Sequence, residues 1–273
     1  MKTFTENEPT SPINARYQVK RVVYSGRSKY QKILVFDSPF HGRVLALDDI
    51  VQLTTREEPF YHEMLVHPIL QAHPNPRNVL VIGGGDGGTV REVVKYPFVE
   101  KVVECELDEE VVGVAKKFLP KLAAGYKDPR VKVRFEDGKT FLKESGQVWD
   151  AIILDLTDPI GPAKPLFERP FYKLCAAHLT PDGFLSAQTE SLHFHRDLVR
   201  MVTGTLRDLF EYVELVTMPL AMYPGNWWTF TVASRSLDPK VARNPFEPPT
   251  RVYARADHNW FFLPRGVREK VLG

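Results

Sequence analysis

Five carboxylates occupy the same kind of place in this chain. Asp86, Glu106, Asp137, Asp155 and Asp158 each come just after a short apolar run. One such residue is easily a turn or helix-cap residue, but capping explains five at successive run ends poorly. Carboxylates gathered in one crevice repel each other and raise each other's pKa unless cations enter. The chemistry they suit is recognition of positive charge, carried by a metal or by an organic amine. Metal-ligand spacing is missing, with no Cys cluster and no His-Glu motif, and His193 and His195 read as surface or satisfied core histidines. An amine suits the remaining residues better. Its ammonium groups pair with carboxylates and its alkyl spacers lie on aromatics, for which Tyr61, Tyr223, Trp227 and Trp228 are candidates alongside their ordinary use in packing. No metal and no resident cofactor are expected.

The stretch that positions the first two acids runs from Val79 to Glu106. An apolar run, Val79 to Ile82, suits a buried strand. Gly83-Gly84-Gly85-Asp86-Gly87-Gly88 follows, then a helical pattern with Val90, Val93 and Val94 on one side and Arg91, Glu92 and Lys95 expected to face water. After Pro97 a second apolar run, Val102-Val103, ends in Glu104 and Glu106. Strand, glycine turn, helix, strand and carboxylate is the order of a nucleotide-binding βαβ unit, the last acid accepting hydrogen bonds from ribose hydroxyls. Asp86 narrows the ligand. It places negative charge where a dinucleotide's diphosphate would lie, and the turn lacks the Gly-Lys-Ser/Thr ending of a phosphate-gripping loop. An adenosine carrying a sulfonium or ammonium fits better than a nicotinamide dinucleotide. The alternative is that Asp86 caps the helix.

These acids need a scaffold. Residues 1 to 15 read as a loose tail. From Tyr17 to Leu53 short β-type runs alternate with turn residues, Ser25-Gly26, Ser38-Pro39 and His41-Gly42, giving a small antiparallel β domain. A helix opens at Arg56-Glu57-Glu58-Pro59 with Phe60, Met64, Leu65 and Ile69 as its apolar side. The rigid His73-Pro74-Asn75-Pro76 then divides a unit of residues 1–76 from one of 77–273. In the second unit helices at 108–119, 171–179 and 194–210 alternate with strands at 131–135, 149–154, 183–188, 212–217 and 227–233, and a Pro/Gly loop spans 160–165. This alternation predicts an α/β fold, a doubly wound, mostly parallel sheet with helices on both faces. Ligands of such sheets sit outside the carboxyl ends of the strands, so the five acids are expected to share one crevice.

Composition bounds the function. The chain has 273 residues, 36 Lys and Arg against 34 Asp and Glu, and a net charge of +2 without a basic block. Nothing favours nucleic acid or an anionic membrane as partner. There is no apolar run of bilayer length and no signal-peptide core in MKTFTENEPTSP. Cys105 and Cys175 read as reduced core thiols, so a cytoplasmic protein is expected.

Gly83 to Gly88 followed by Arg91-Glu92-Val93, with Tyr61-His62-Glu63-Met64 before it, resembles the signature of the spermidine synthases, the polyamine aminopropyltransferases. The resemblance extends through Tyr30-Gln31, Ile33-Leu34-Val35, Asp155-Leu156-Thr157-Asp158-Pro159-Ile160-Gly161-Pro162, Phe171-Tyr172, Tyr223-Pro224-Gly225 and Trp228-Thr229-Phe230. It covers nearly the whole chain and implies a Rossmann-like, methyltransferase-type sheet. It also implies transfer of an aminopropyl group from decarboxylated S-adenosylmethionine to an amine, putrescine by default, releasing methylthioadenosine. Cadaverine, agmatine, diaminopropane or spermidine stay open as acceptors.

Residue roles follow from the resemblance. Glu106 would hold the ribose hydroxyls, Asp137 with Gly138 the adenine amino group, and Asp86 the donor's ammonium. Gln31, Gln52 and His62 would contact the donor, and Pro162 and Ala163 would pack near the adenine. Asp155, aided by Tyr61 and Asp158, would orient and deprotonate the attacking amine, whose channel Tyr223 would line. An ammonium has no free lone pair, so a positioned carboxylate must take its proton. The family commonly forms dimers or tetramers through the N-terminal domain. Lys164-Pro165 replaces an acidic residue common in the family, and Val252-Tyr253-Ala254 a Tyr-Tyr-Asn element. Both departures bear on the acceptor. Glu190 would anchor a diamine's far ammonium or be a solvated surface residue. The main rival is an S-adenosylmethionine methyltransferase, whose donor carboxylate Asp86 would repel. A catalytically dead binding protein on the same fold is the other.

Overall fold

The structure, a computed structural model, describes residues 2–6 and 8–273. Among the described residues, thirteen strands make three sheets and seven α-helices accompany them. β1 (Lys2–Glu6) and β2 (Ala15–Val19) pair antiparallel, so the segment read as a loose tail is in part a strand. Phe4 packs with Tyr17 and Phe36, which fixes the ribbon to the next sheet. That sheet is an antiparallel meander of β3 (Arg21–Arg27), β4 (Lys32–Ser38), β5 (Gly42–Leu47) and β6 (Ile50–Thr54). Ser25-Gly26 lies inside β3, paired with Leu34 and Ile33, and is not a turn.

α1 (Glu58–Ala72) follows. Phe60, expected on its apolar side, is its one exposed residue. The rest is buried because α1 is packed against the large sheet and α2 as well as the chain's C-terminal segment. A helix enclosed on all sides shows no clear stripe.

The large sheet has seven strands in the order β12-β13-β11-β10-β7-β8-β9. These are β7 (Asn78–Gly83), β8 (Lys101–Cys105), β9 (Val131–Arg134), β10 (Trp149–Asp155), β11 (Leu179–Ser191), β12 (Tyr212–Pro219) and β13 (Trp227–Ser234). Only β13 runs against the others. Central strands covered on both faces need apolar residues at every position. Val79 and Val81 of β7 join the core on the α1 face, and Leu80 and Ile82 join the opposite one. α2 (Gly88–Val93) and α3 (Glu109–Phe118) follow β7 and β8, while α4 (Gly138–Ser145), α5 (Arg169–Ala177), α6 (Arg196–Arg207) and α7 (Arg265–Leu272) complete the chain. The expected Pro/Gly loop is instead a 3₁₀ turn, Gly161–Phe167. Val111, Val114, Leu119 and Leu122 meet Ile33, Val35, Leu45 and Leu53, so α3 and the turn after it weld the small sheet to the large one. Both cysteines are free and buried. No helix among the described residues is long and apolar enough to cross a membrane.

Sheet order reverses beside β7, whose neighbours β8 and β10 lead away in opposite directions. That reversal opens a crevice at the carboxyl ends of these strands.

Candidate active site

A cavity of about 490 Å³ fills that crevice. Its floor is the glycine turn and the ends of β7, β8 and β10, and its other wall comes from β5, β6 and the segment around Glu6 and Glu8. Eleven of the residues lining it are Asp or Glu, and among the described residues none is Lys, Arg or His. All five acids singled out by their place after apolar runs are in this set. A wall of that composition calls for a ligand that brings its own positive charge.

Asp155 sits at the centre. It ends β10 in register with Gly83, the last residue of β7. Gly83 has φ +81°, and a Cβ there would stand 2.1 Å from the Asp155 carbonyl oxygen, so only glycine lets the two strand ends lie this close. The Tyr61 hydroxyl donates to Asp155 Oδ1 at 2.7 Å, and the Thr89 hydroxyl donates to Oδ2 at 2.6 Å. Thr89 carried no signal in the sequence beyond its place after the glycines. Burial and then the charge of Asp86 raise the Asp155 pKa, against the pull of His62, Thr89 and Tyr61.

On one side of Asp155 lie the residues expected to hold a nucleoside. Glu106 accepts from the backbone N–H of Gly85 at 3.1 Å and of Asp108 at 2.8 Å. Burial outweighs these bonds and raises its pKa to about 7. Gln31 donates to Asp108 Oδ2 at 2.9 Å, which ties the small sheet to the N-terminus of α3. Asp108 caps α3 and also lines the cavity. Asp137 caps α4, accepting from Thr140 N at 2.7 Å, and is exposed at the cavity rim beside Gly138. Asp86, offered as the cap of α2, stands one residue before the N-cap Gly87 and does not cap the helix. It accepts from Gly88 N at 2.7 Å and faces the cavity. Gln52, Pro162 and Ala163 also line this space.

On the other side the wall is aromatic and then acidic. Tyr223 lies against Trp228 with ring centres 4.3 Å apart and meets Tyr61 edge-on. Its hydroxyl donates to the Gln52 carbonyl, joining the two sheets. Trp227 lies outside the cavity, beside Leu192 and Leu215 on the far side of the sheet end. Beyond the aromatics stand Asp158, Glu190, Glu6 and Glu8. Glu190 is not a solvated residue. It is 2% exposed, with φ +67°, and burial followed by the neighbouring Asp158 charge raises its pKa. Glu6 accepts from Val51 N at 2.7 Å, and burial raises its pKa to about 7. Glu6 and Glu8 escaped notice because residues 1 to 15 look like a tail. The signal available was Phe4, an apolar residue two places from Glu6 on an alternating strand. His195 reaches this corner, its Nδ1 3.5 Å from Glu190 Oε2 and its Nε2 2.8 Å from the Thr10 hydroxyl, while His193 is exposed.

His62, expected to touch a donor, does not line the cavity. It is buried behind the glycine turn, Nδ1 2.9 Å from Glu58 and Nε2 3.4 Å from Asp86. His62, Asp86 and Asp155 place potential metal-ligating atoms within 4.8 Å of one another, a grouping the sequence spacing did not reveal. Burial lowers the His62 pKa, but Asp86 and Glu58 outweigh it and raise the value to about 10. An imidazolium has no lone pair to give a metal. In the chain by itself the trio sets two acids around one imidazole.

The sheet order, glycine turn and strand-end acids define a methyltransferase-type α/β fold with an acidic cavity at its strand ends. The family model described as the spermine/spermidine synthase domain matches residues 58–245, and that of the spermidine synthase tetramerisation domain matches residues 3–55. Polyamine aminopropyltransferase 1 of Aquifex aeolicus (strain VF5) is 42% identical over 269 residues, covering 98% of this chain and 96% of that protein. Spermidine synthase of Schizosaccharomyces pombe (strain 972) is 43% identical over 218 residues, 80% of this chain and 73% of that one. A crystal structure of spermidine synthase in complex with the transition state analogue AdoDATO superposes with a TM-score of 0.93 at 35% identity, covering 100% of this chain and 95% of that one. Spermidine synthase from Thermotoga maritima superposes with a TM-score of 0.91 at 33% identity, covering 100% and 94%. The chain belongs to the spermine/spermidine synthase family and is an aminopropyltransferase.

Proposed function

We propose that the chain moves the aminopropyl group of decarboxylated S-adenosylmethionine to putrescine, giving spermidine and methylthioadenosine. The observation that carries this reading is the cavity wall itself, rich in carboxylates and without a cation among the described residues. The donor brings a sulfonium and an ammonium, and the acceptor brings an amine at each end. A methyltransferase's donor would bring a carboxylate to Asp86, which favours the decarboxylated donor. The complex with AdoDATO formed by a related spermidine synthase is in keeping with this pairing.

In this reading Glu106 binds the ribose hydroxyls, Asp137 and Gly138 read the adenine edge beside Pro162, and Asp86 pairs with the donor ammonium. Gln31 and Gln52 close the donor side. The acceptor nitrogen lies by Asp155, between Tyr61 and Tyr223. As its lone pair forms the new bond to the methylene carbon next to sulfur, the carbon–sulfur bond breaks and its electron pair returns to sulfur as a neutral thioether. The proton from nitrogen goes to Asp155. A carboxylate with a raised pKa accepts it more readily than an ordinary one, and holding nitrogen and carbon in line supplies much of the rate. No metal or resident cofactor takes part, the donor being a co-substrate.

Two acid groupings separated by the Tyr223 and Trp228 rings favour an acceptor with two amines. Asp155 with Tyr61 takes the near nitrogen, and Asp158, Glu190 and Glu8 take the far one. For assembly we propose a homodimer or homotetramer through the N-terminal unit, in line with the match of residues 3–55 to a tetramerisation domain, and for location the cytoplasm.

An acceptor panel tests the function. Protein is mixed with the donor and, separately, with putrescine, cadaverine, agmatine, diaminopropane and spermidine, and products are read by mass spectrometry. Spermidine formed fastest from putrescine is the expected result. Faster turnover of another amine would reassign the acceptor, and failure to bind the donor would remove the basis for Asp86.

A further inference from the structure

Behind the glycine turn the acids of the cavity continue into a chain of alternating charge that the reaction as written does not use. Asp86 is 3.4 Å from His62 Nε2, and Glu58 is 2.9 Å from His62 Nδ1. Glu58 in turn accepts two hydrogen bonds from the Arg91 guanidinium, at 2.9 and 2.7 Å. Arg91 Nε donates to Glu92 at 2.8 Å, and Glu92 pairs with His67 at 2.8 Å and with Lys95 at 2.6 Å. His62, Glu58 and Glu92 are buried and Arg91 is half-buried. The His62 ring has its seat only because residue 88 is glycine. A Cβ there would stand 2.3 Å from the ring.

The groups that face His62 come from every element around it. α1 contributes Glu58 and the edge-on ring of Tyr61, the glycine turn contributes Asp86, and the end of β10 contributes Asp155. Arg91 of α2 pairs with the same Glu58 oxygen that faces His62. A carboxylate 2.9 Å from one ring nitrogen and another 3.4 Å from the other favour the charged imidazolium over the neutral ring. A histidine kept merely to fill space would need one partner.

We infer that Glu58, held in place by Arg91, is a positioning residue for the transfer reaction. It keeps His62 as an imidazolium, and His62 steadies Asp86 and lends Asp155 the nearby positive charge under which that group works. The inference rests on the proposed roles of Asp155 and Asp86. The charge states agree with it. Burial pushes the Glu58 pKa up, but His62 and Arg91 bring it down to about 2, while His62 itself is raised to about 10. His62 in turn lowers Asp155 against burial and Asp86.

The test is the pH profile of kcat/KM, whose acid limb reports the free enzyme's base. Glu58→Gln keeps the size and removes the charge. With His62 no longer held as a cation, Asp155 loses an opposite charge, and the acid limb moves up by about one pH unit. His62→Gln gives the same upward shift. Adding Glu58→Gln to His62→Gln gives no further shift, because Glu58 acts through His62. The control is Glu63→Gln. Glu63 is as buried on the same helix and accepts from the backbone N–H groups of Arg251, Val252 and Tyr253, so its loss lowers stability without moving the limb. Nitrogen NMR of the intact enzyme reads His62 directly, as an imidazolium throughout the neutral range. An unmoved limb in folded Glu58→Gln, a further shift in the double variant, or a neutral His62 in the unaltered enzyme would each overturn the inference. Should Glu58→Gln not fold, His62→Gln and the NMR signal decide. Full turnover by Asp155→Asn would instead refute the proposed base, and the state of His62 would stand apart from that result.

Discussion

Glu58 and Glu92, behind the glycine turn, and Asp155 and Glu190, in front of it, are chemically alike and similarly removed from water. Their protons respond in opposite ways. Burial acts first on all four and raises the pKa, yet Glu58 and Glu92 end below the ordinary carboxylate range because His62, His67, Arg91 and Lys95 face them. Asp155 and Glu190 end above it, since the charges nearest them are Asp86 and Asp158. The chain supplies cations to the first pair and leaves the second pair for the ligand. An ion pair completed within the fold is structure, and one left open is a binding site.

The largest break in this contrast comes from Asp155→Asn. Turnover falls on the order of 10²- to 10⁴-fold, while donor binding measured by calorimetry is retained. On the closed side Glu92→Gln leaves His67, Arg91 and Lys95 without their buried partner. The loss is about 3 kcal/mol, read as the denaturation midpoint, and the protein that remains folded keeps its KM for both substrates.

Proton uptake sharpens the comparison. Glu6 and Glu106 titrate near 7 in the folded chain against 4.5 for an ordinary Glu. Between those values the folded state binds more protons than the unfolded one, so this contribution to stability is present in full below about 4.5 and is lost as pH rises through about 7. Glu58, with its pKa lowered to about 2, has the opposite sign. Its contribution is present above 4.5 and is lost as pH falls toward 2. Melting temperature followed across pH should therefore decline from pH 5 to pH 7 in the empty protein. Spermidine with methylthioadenosine should flatten that decline, and their binding should release protons, seen as a dependence of binding heat on buffer ionisation enthalpy. The smallest effect is expected from Glu190→Gln. It exchanges an acid whose pKa burial and Asp158 push upward for an amide of the same size, so stability at neutral pH changes by less than about 1 kcal/mol. The KM for the amine rises while that for the donor does not.

The acids of the open site were legible because the carboxyl ends of a doubly wound sheet are marked in the sequence by the ends of apolar runs. Asp86, Glu106, Asp137, Asp155 and Asp158 need only chain order to be found, and the sheet brings them to one wall. The closed network was not legible. Glu92 sits in a helical pattern where a charge normally means water, and its partner His67 comes from a helix 25 residues earlier. Glu6 and Glu8 were hidden by their polar neighbours, since a two-stranded ribbon is recognised through backbone pairing that side chains barely announce. Trp227 and Phe60 show the reverse error, in which an apolar type was taken as evidence of a wall it does not form.

The empty place beside residue 88 reaches past this enzyme's chemistry. A run rich in glycine is usually credited to the approach of a ligand, but one of these glycines makes room for the protein's own histidine ring. The turn and the helix that carries His62 are thus a single transplantable part. A designer who grafts residues 83–88 onto another α/β scaffold without a helix bearing Glu58 and His62 behind them would install an Asp86 with no counterweight and an unfilled hole beneath it.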